Sequence, residues 1–100
     1  MSLELQVQNA SGLHARPAAT FVRAASTFRS DIQVANLTTG SAPVTAKSII
    51  GVLGLGVQCG HRIQLVVDGA DEATAADALR TLVEAGLGEA EAEPGATGDA

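Results

Sequence analysis

The hydrophobic period of this chain switches between two and about 3.6 residues, and each switch marks a change of secondary structure. Leu3, Leu5 and Val7 alternate with Glu4, Gln6 and Gln8, the pattern of a strand with one buried face. Ser11 and Gly12 interrupt it. From Pro17 the spacing becomes helical, with Ala18, Phe21, Val22 and Ala25 on one face, and Pro17 fits just inside a helix start because its missing N–H is not needed there. The strand period returns over Asp31 to Asn36, with Ile32 and Val34 inward, and again at Ile63, Leu65 and Val67.

Between these strands, Thr38-Thr39-Gly40-Ser41 is a turn signal. Ala42 to Val44 completes a hairpin as a short third strand, which Pro43 assigns to a sheet edge. Lys47 to Leu55 is apolar, short and broken by Gly51 and Gly54, and predicts one or two helical turns. Asp71 is an N-cap candidate for a last helix. Its inward stripe is Ala75, Leu79, Leu82, Val83 and Gly86, and Gly86 and Gly88 end it. The order is β-α-β-β-α-β-α. Strands that alternate apolar and polar have one covered face, so the fold expected is α+β: an open-faced β-sandwich with a four-stranded antiparallel sheet and three helices on one face.

One hundred residues suffice for one domain, expected over 1–89. Residues 90–100 have no apolar periodicity and read as a flexible acidic, Gly-Pro tail or a linker, and Glu89, Glu91 and Glu93 read as a solvated run. With 46% hydrophobic but 2% aromatic residues, small aliphatic side chains must fill the core. A net charge of −5 argues against nucleic acid and anionic membrane surfaces. No apolar run approaches the roughly 20 residues of a membrane span, and no basic stretch followed by an apolar one suggests a secretory leader. The lone Cys59 has no internal disulfide partner, so a cytoplasmic location is expected. Cys59 and His61 resemble half a metal site without a second ligand pair and are expected to serve a turn, so no metal is expected. The glycines at 51, 54, 56 and 60 precede no Gly-Lys-Ser/Thr, which argues against a nucleotide loop.

The chemistry-bearing stretch is Ser11-Gly12-Leu13-His14-Ala15-Arg16-Pro17. It sets a histidine at the mouth of the first helix, where unpartnered backbone N–H groups and the helix dipole favour an anion. Arg16 adds a fixed positive charge able to fork onto phosphate oxygens. The dipole disfavours a protonated imidazole but suits a neutral nucleophile with an anionic product. Imidazole also leaves readily in phosphoryl transfer, so the same group can accept and donate. A histidine near a helix start is nevertheless more often a surface or capping residue, and these features alone do not decide. No acid, base or oxyanion constellation accompanies His14, which disfavours a hydrolase.

Gly12-Leu13-His14-Ala15-Arg16-Pro17-Ala18 is similar to the active-site signature of the HPr family, the histidine phosphocarriers of the bacterial sugar phosphotransferase system. Ala46 to Val57, which contains Lys47-Ser48-Ile49-Ile50-Gly51, resembles the family's regulatory-serine segment. Val67-Asp68-Gly69-Ala70-Asp71-Glu72-Ala73 and Glu84-Ala85-Gly86-Leu87-Gly88-Glu89 resemble the entry and end of its last helix. The resemblance implies an HPr-like phosphoryl carrier rather than an enzyme, phosphorylated on Nδ1 of His14, with Arg16 steadying the phosphate. It implies Ser48 as a regulatory phosphoserine and Phe21, Ile49, Ile50 and Leu53 as partner-binding residues. Part of the Ile49, Ile50 and Leu53 face is expected in the core. The implied partners are enzyme I, enzyme IIA domains, an HPr kinase/phosphorylase and a transcriptional regulator, with no cofactor and a monomeric state. The alternatives are an HPr-like domain of a multidomain or nitrogen-branch phosphotransferase protein, and a regulatory docking module acting through phospho-Ser48.

Overall fold

The computed structural model describes residues 1–89; the segment read as a tail or linker, 90–100, lies outside them. The elements are β1 (Ser2–Gln6), α1 (Ala15–Ser26), β2 (Asp31–Asn36), β3 (Val44–Thr45), α2 (Ile49–Gly54), β4 (Arg62–Asp68) and α3 (Glu72–Glu84). The four strands form one sheet in the order β1-β4-β2-β3, and every pairing is antiparallel. Register follows the alternation: Leu3 faces Leu65 and Leu5 faces Ile63 across β1 and β4, and Val34 faces Leu65 across β2 and β4. The helices cover one face. Leu5, Ile32, Val34, Ile63, Leu65 and Val67 point under them, whereas Val66 on the opposite face is exposed.

Phe21 from α1, Val52 from α2 and Leu79 and Val83 from α3 complete the core. The last three are aliphatic, as are the sheet residues beneath them, which is how a chain with so few aromatic residues fills its interior. α1 begins at Ala15, two residues before the expected Pro17, which takes the third helical position. An N–H in that first turn has no intrahelical acceptor in any case, so proline costs the helix nothing there.

β3 is Val44–Thr45 rather than Ala42–Val44. Its pairs are Gln33 with Thr45 and Val34 with Val44; the Ala46 N–H donates to the Ile32 carbonyl at 2.8 Å, so alternate residues face β2 and the nitrogen of Pro43 faces the open edge, where a missing N–H costs the ladder nothing. The turn before it is organised by Asn36, a fully buried polar residue. Its Oδ1 accepts the N–H groups of Thr38 and Thr39 at 3.1 and 3.3 Å, and its amide donates to the Leu55 carbonyl at 3.1 Å.

Asp71 occupies the N-cap position of α3, but its side chain does not cap that helix. The carboxylate crosses to the α1–β2 connection and accepts the N–H groups of Arg29 and Ser30, each at 2.9 Å, together with the Ser30 hydroxyl. The Ser30 hydroxyl and then the Arg29 N–H hold its carboxyl down at about 2. The Glu72 side chain accepts the Gly69 N–H at 3.2 Å and so closes the turn that leads into α3.

Candidate functional site

His14 is the N-cap residue of α1, in extended conformation (φ −129°, ψ 160°), half-buried, with no side-chain capping bond. The loop that brings it there is pressed onto the segment between α2 and β4. The Leu13 N–H donates to the Val57 carbonyl at 3.0 Å, and the Leu13 side chain is fully buried. Gly12 makes this approach possible: it has φ +60°, and a Cβ on it would stand 2.3 Å from the Val57 oxygen.

The first turn of α1 presents donors. Among the described residues the N–H groups of Ala15 and Arg16 have no acceptor, Pro17 has none to offer, and the Ala18 N–H reaches the His14 carbonyl at a long 3.4 Å. Ala15 itself has φ +53°, in the left-handed region. For a residue with a Cβ this conformation costs on the order of 1–3 kcal/mol, and here it falls between His14 and Arg16. Arg16 is exposed. With Ala15, Pro17, Leu87, Gly88 and Glu89 it lines a cleft of about 260 Å³. The arrangement therefore combines an imidazole, two free backbone donors, a helix dipole and a guanidinium, which together can receive and stabilise an anionic group.

Glu89 lies at this site and is not part of a solvated run. Its Oε1 accepts the Ser11 N–H at 2.7 Å and the Asn9 amide at 3.0 Å, and its Oε2 accepts the Ser11 hydroxyl at 2.8 Å. The Asn9 amide, followed by the Ser11 N–H, holds the Glu89 carboxyl below the usual carboxylate range. Local periodicity cannot reveal a contact between positions 89 and 11. The available signal is Gly86 and Gly88, which have φ +90° and +79° and turn the chain back after α3.

Ser48 is the N-cap of α2. Its hydroxyl accepts the Gly51 N–H at 3.1 Å. Ile49, Ile50 and Leu53 all face outward, 38%, 81% and 39% exposed, and none belongs to the core; α2 is anchored by Val52 and Leu55 instead. Six residues make fewer than two turns, so one stripe is enough to attach the helix and the other is left in solvent. Phe21 does not join this patch. It is 0% exposed, because the same α1 stripe that carries Ala18 and Ala25 faces the core. α1 and α2 pack against each other, so the outward patch of α2 neighbours the helix that His14 opens.

His61 serves the turn before β4: its Nδ1 lies 3.2 Å from both the Gln58 N–H and the Asn36 amide. Cys59 is exposed and its Sγ contacts the Gln8 carbonyl. Among the described residues no three His, Cys, Asp or Glu side chains gather as a metal site, and no helix is long and apolar enough to cross a membrane.

Residues 1–85 match the family model described as the PTS HPr component phosphorylation site. The phosphocarrier protein HPr of Treponema pallidum is 45% identical over 78 residues, covering 78% of this chain and 85% of that protein. The multiphosphoryl transfer protein of Escherichia coli O157:H7 is 42% identical over 89 residues, 89% of this chain. This chain spans between 17% and 24% of the length of such multiphosphoryl transfer proteins. The crystal structure of HPr-C-His from Thermoanaerobacter tengcongensis superposes with a TM-score of 0.84 at 42% identity, covering 90% of this chain and 98% of that one. A histidine-bearing helix start, an open antiparallel sheet of matching topology and a family match over most of its length place this chain in the HPr family of phosphocarriers of the phosphotransferase system.

Proposed function

We propose that His14 is the phosphate-accepting residue, charged by phospho-enzyme I and discharged onto a histidine of an enzyme IIA domain. The observation that carries this reading is the position of His14, at the mouth of α1 beside the free N–H groups of Ala15 and Arg16. In the forward step a neutral ring nitrogen of His14 attacks the phosphorus of phospho-enzyme I. The donor N–P bond breaks, its electron pair returns to the donor imidazole, and a new N–P bond forms on His14. The second transfer repeats these events with His14 as the leaving group. The Arg16 guanidinium and the two backbone donors stabilise the charge on the transferred oxygens, so the chain's own groups supply the electrostatics of phosphoryl transfer. The outward Ile49, Ile50 and Leu53 offer an apolar contact of the small, transient kind that a relay requires. Ser48, at the start of that patch, is the regulatory phosphorylation site in this reading.

The test is incubation with phosphoenolpyruvate and enzyme I, which should add one acid-labile phosphate to the chain. Transfer to a His14→Ala variant at the wild-type level refutes the assignment.

A second reading concerns context: the chain acts as the carrier module of a longer multidomain protein. It is favoured by the fraction of the multiphosphoryl transfer proteins that this chain matches, 24% for that of Escherichia coli O157:H7. Reading the open reading frame on either side of residues 1–100 decides it.

A further inference from the structure

Leu87 starts the contact. It is 1% exposed and its N–H donates to the Leu82 carbonyl at 2.9 Å, which fixes the reversal after α3. The Glu89 N–H then donates to the Gly86 carbonyl at 2.8 Å, and the carboxylate meets Ser11 and Asn9, 78 and 80 positions away in sequence. Asn9 is fully buried, and its amide also donates to the Gly12 carbonyl at 2.9 Å. Its Oδ1 is buried with no partner among the described residues.

Asn9 and Ser11 donate to the ionised carboxylate of Glu89 and so stabilise the fold, yet Leu87 already fastens the chain end through the core. A carboxylate beside an anion-receiving helix start also opposes the charge that must arrive there. What the contact does provide is a second attachment for the loop 9–14. One side of that loop is held by Val57 through Leu13, and the other is held by Glu89 through Ser11 and Asn9. The loop ends in His14 and in the strained Ala15, so a loose loop would relax Ala15 and swing the imidazole away from the free donors.

We propose that Glu89 is a positioning residue for phosphoryl transfer: its carboxylate, through Ser11 and Asn9, fixes the loop that presents His14 at the start of α1. The proposal rests on the carrier role of His14.

Reach and charge are separable at this position. Glu89→Gln keeps the length of the side chain and one acceptor oxygen but removes the charge. Glu89→Asp keeps the charge but withdraws it by one methylene, about 1.5 Å. Glu84→Gln, at the end of α3, removes an equal charge outside the contact. Phosphorylation by enzyme I and phosphoenolpyruvate is followed with the full chain as the varied substrate. Glu89→Asp should lower kcat by on the order of 10-fold or more, the scale of a small displacement of reacting groups. KM should stay within about twofold, because the α2 patch is untouched. Glu89→Gln should retain most of kcat, and Glu84→Gln should match wild type. In the unphosphorylated protein, hydrogen exchange at Gly12 and Leu13 should accelerate in Glu89→Asp and much less in Glu89→Gln. A wild-type kcat in Glu89→Asp, a loss carried by KM, or the reverse ranking with Gln impaired and Asp intact overturns the proposal. A wild-type chain that takes no phosphate on His14 overturns the carrier role itself, whereas phosphorylated wild type with an unimpaired Glu89→Asp overturns this proposal alone.

Discussion

Ser48 has two separable properties, an acceptor oxygen and a place beside an apolar surface, and substitution can set them apart. Helix α2 has six residues, two of them the glycines Gly51 and Gly54, each worth about 1 kcal/mol less than alanine in a helix interior. Its persistence therefore depends on the burial of Val52 and on the bond from the Gly51 N–H to the Ser48 hydroxyl, 3.1 Å long. Ser48→Ala removes that bond and should cost about 1 kcal/mol, which in a domain of this size lowers the melting temperature by roughly 4–8 °C. Ser48→Asp restores an acceptor of about equal capping strength and adds a negative charge at the helix start, so its melting temperature should return to the wild-type value or above it. Function should rank the other way. The aspartate sets a charge next to Ile49, Ile50 and Leu53, where a partner must desolvate it or stand off, so phosphoryl transfer to His14 should slow in Ser48→Asp and stay near wild type in Ser48→Ala. Thermal melting followed by circular dichroism and the initial rate of phosphorylation by enzyme I give both rankings. If Ser48→Ala slows transfer as much as Ser48→Asp, the serine acts through the shape of α2 and the charge-switch argument fails.

Arg16→Ala, at an exposed position, should shift stability by less than about 0.5 kcal/mol while slowing transfer; a large drop in melting temperature would make Arg16 structural. Gly12→Ala must adopt φ +60° and place a Cβ 2.3 Å from the Val57 oxygen, so it should lose at least about 1–2 kcal/mol and transfer poorly, as melting and phosphorylation assays will record. Asp71 has its carboxyl lowered from 3.8 to about 2, so its contribution to stability is fully present above pH 4 to 5 and is lost as pH falls through about 2; denaturant midpoints measured downward from about pH 5 should fall less steeply in Asp71→Asn than in wild type. Phe21→Ala should cost about 3–5 kcal/mol because the ring is fully buried, whereas Ile50→Ala should leave stability within about 0.5 kcal/mol and weaken transfer; the two denaturation curves separate core from contact surface.

The elements could be read from periodicity because each strand and helix has one covered face, and a covered face writes its own period into the chain. β2 was legible to the residue over Asp31–Asn36. The placement of His14 and Arg16 at the mouth of α1 was legible because a helix start is a local event. What escaped was every polar contact between distant segments. Asp71 has the composition of an N-cap and the position of one, yet its oxygens serve Arg29 and Ser30 across the fold. Glu89 belongs by composition to an acidic run and by contact to the site loop. Phe21 follows the same logic in reverse: the helical stripe pointed it inward, family resemblance suggested a contact role, and its burial decides for the stripe. A short amphipathic segment such as Ile49–Gly54 has two apolar sides and one core, so periodicity alone could not choose the side that faces solvent.

A carrier must bind its phosphoryl group well enough to accept it and weakly enough to release it, and the physical character of this site suits that requirement. A buried guanidinium paired to phosphate would make a strong, dry ion pair whose separation is costly. Arg16 is exposed, so water screens its attraction and limits it to the modest range of surface pairs. In the proposed carrier role the fixed backbone donors at Ala15 and Arg16 complement it, since they carry no net charge and need no reorganisation at the moment of transfer. Ala15, between His14 and Arg16, is held at φ +53° against its own conformational preference. The restraint comes from both sides of the loop: Gly12 lets it lie on Val57, and Ser11 ties it to Glu89. The rigid parts of the site are thus its geometry and its dipoles, and the one full positive charge at the helix start, the Arg16 guanidinium, stays in water, where it can let go.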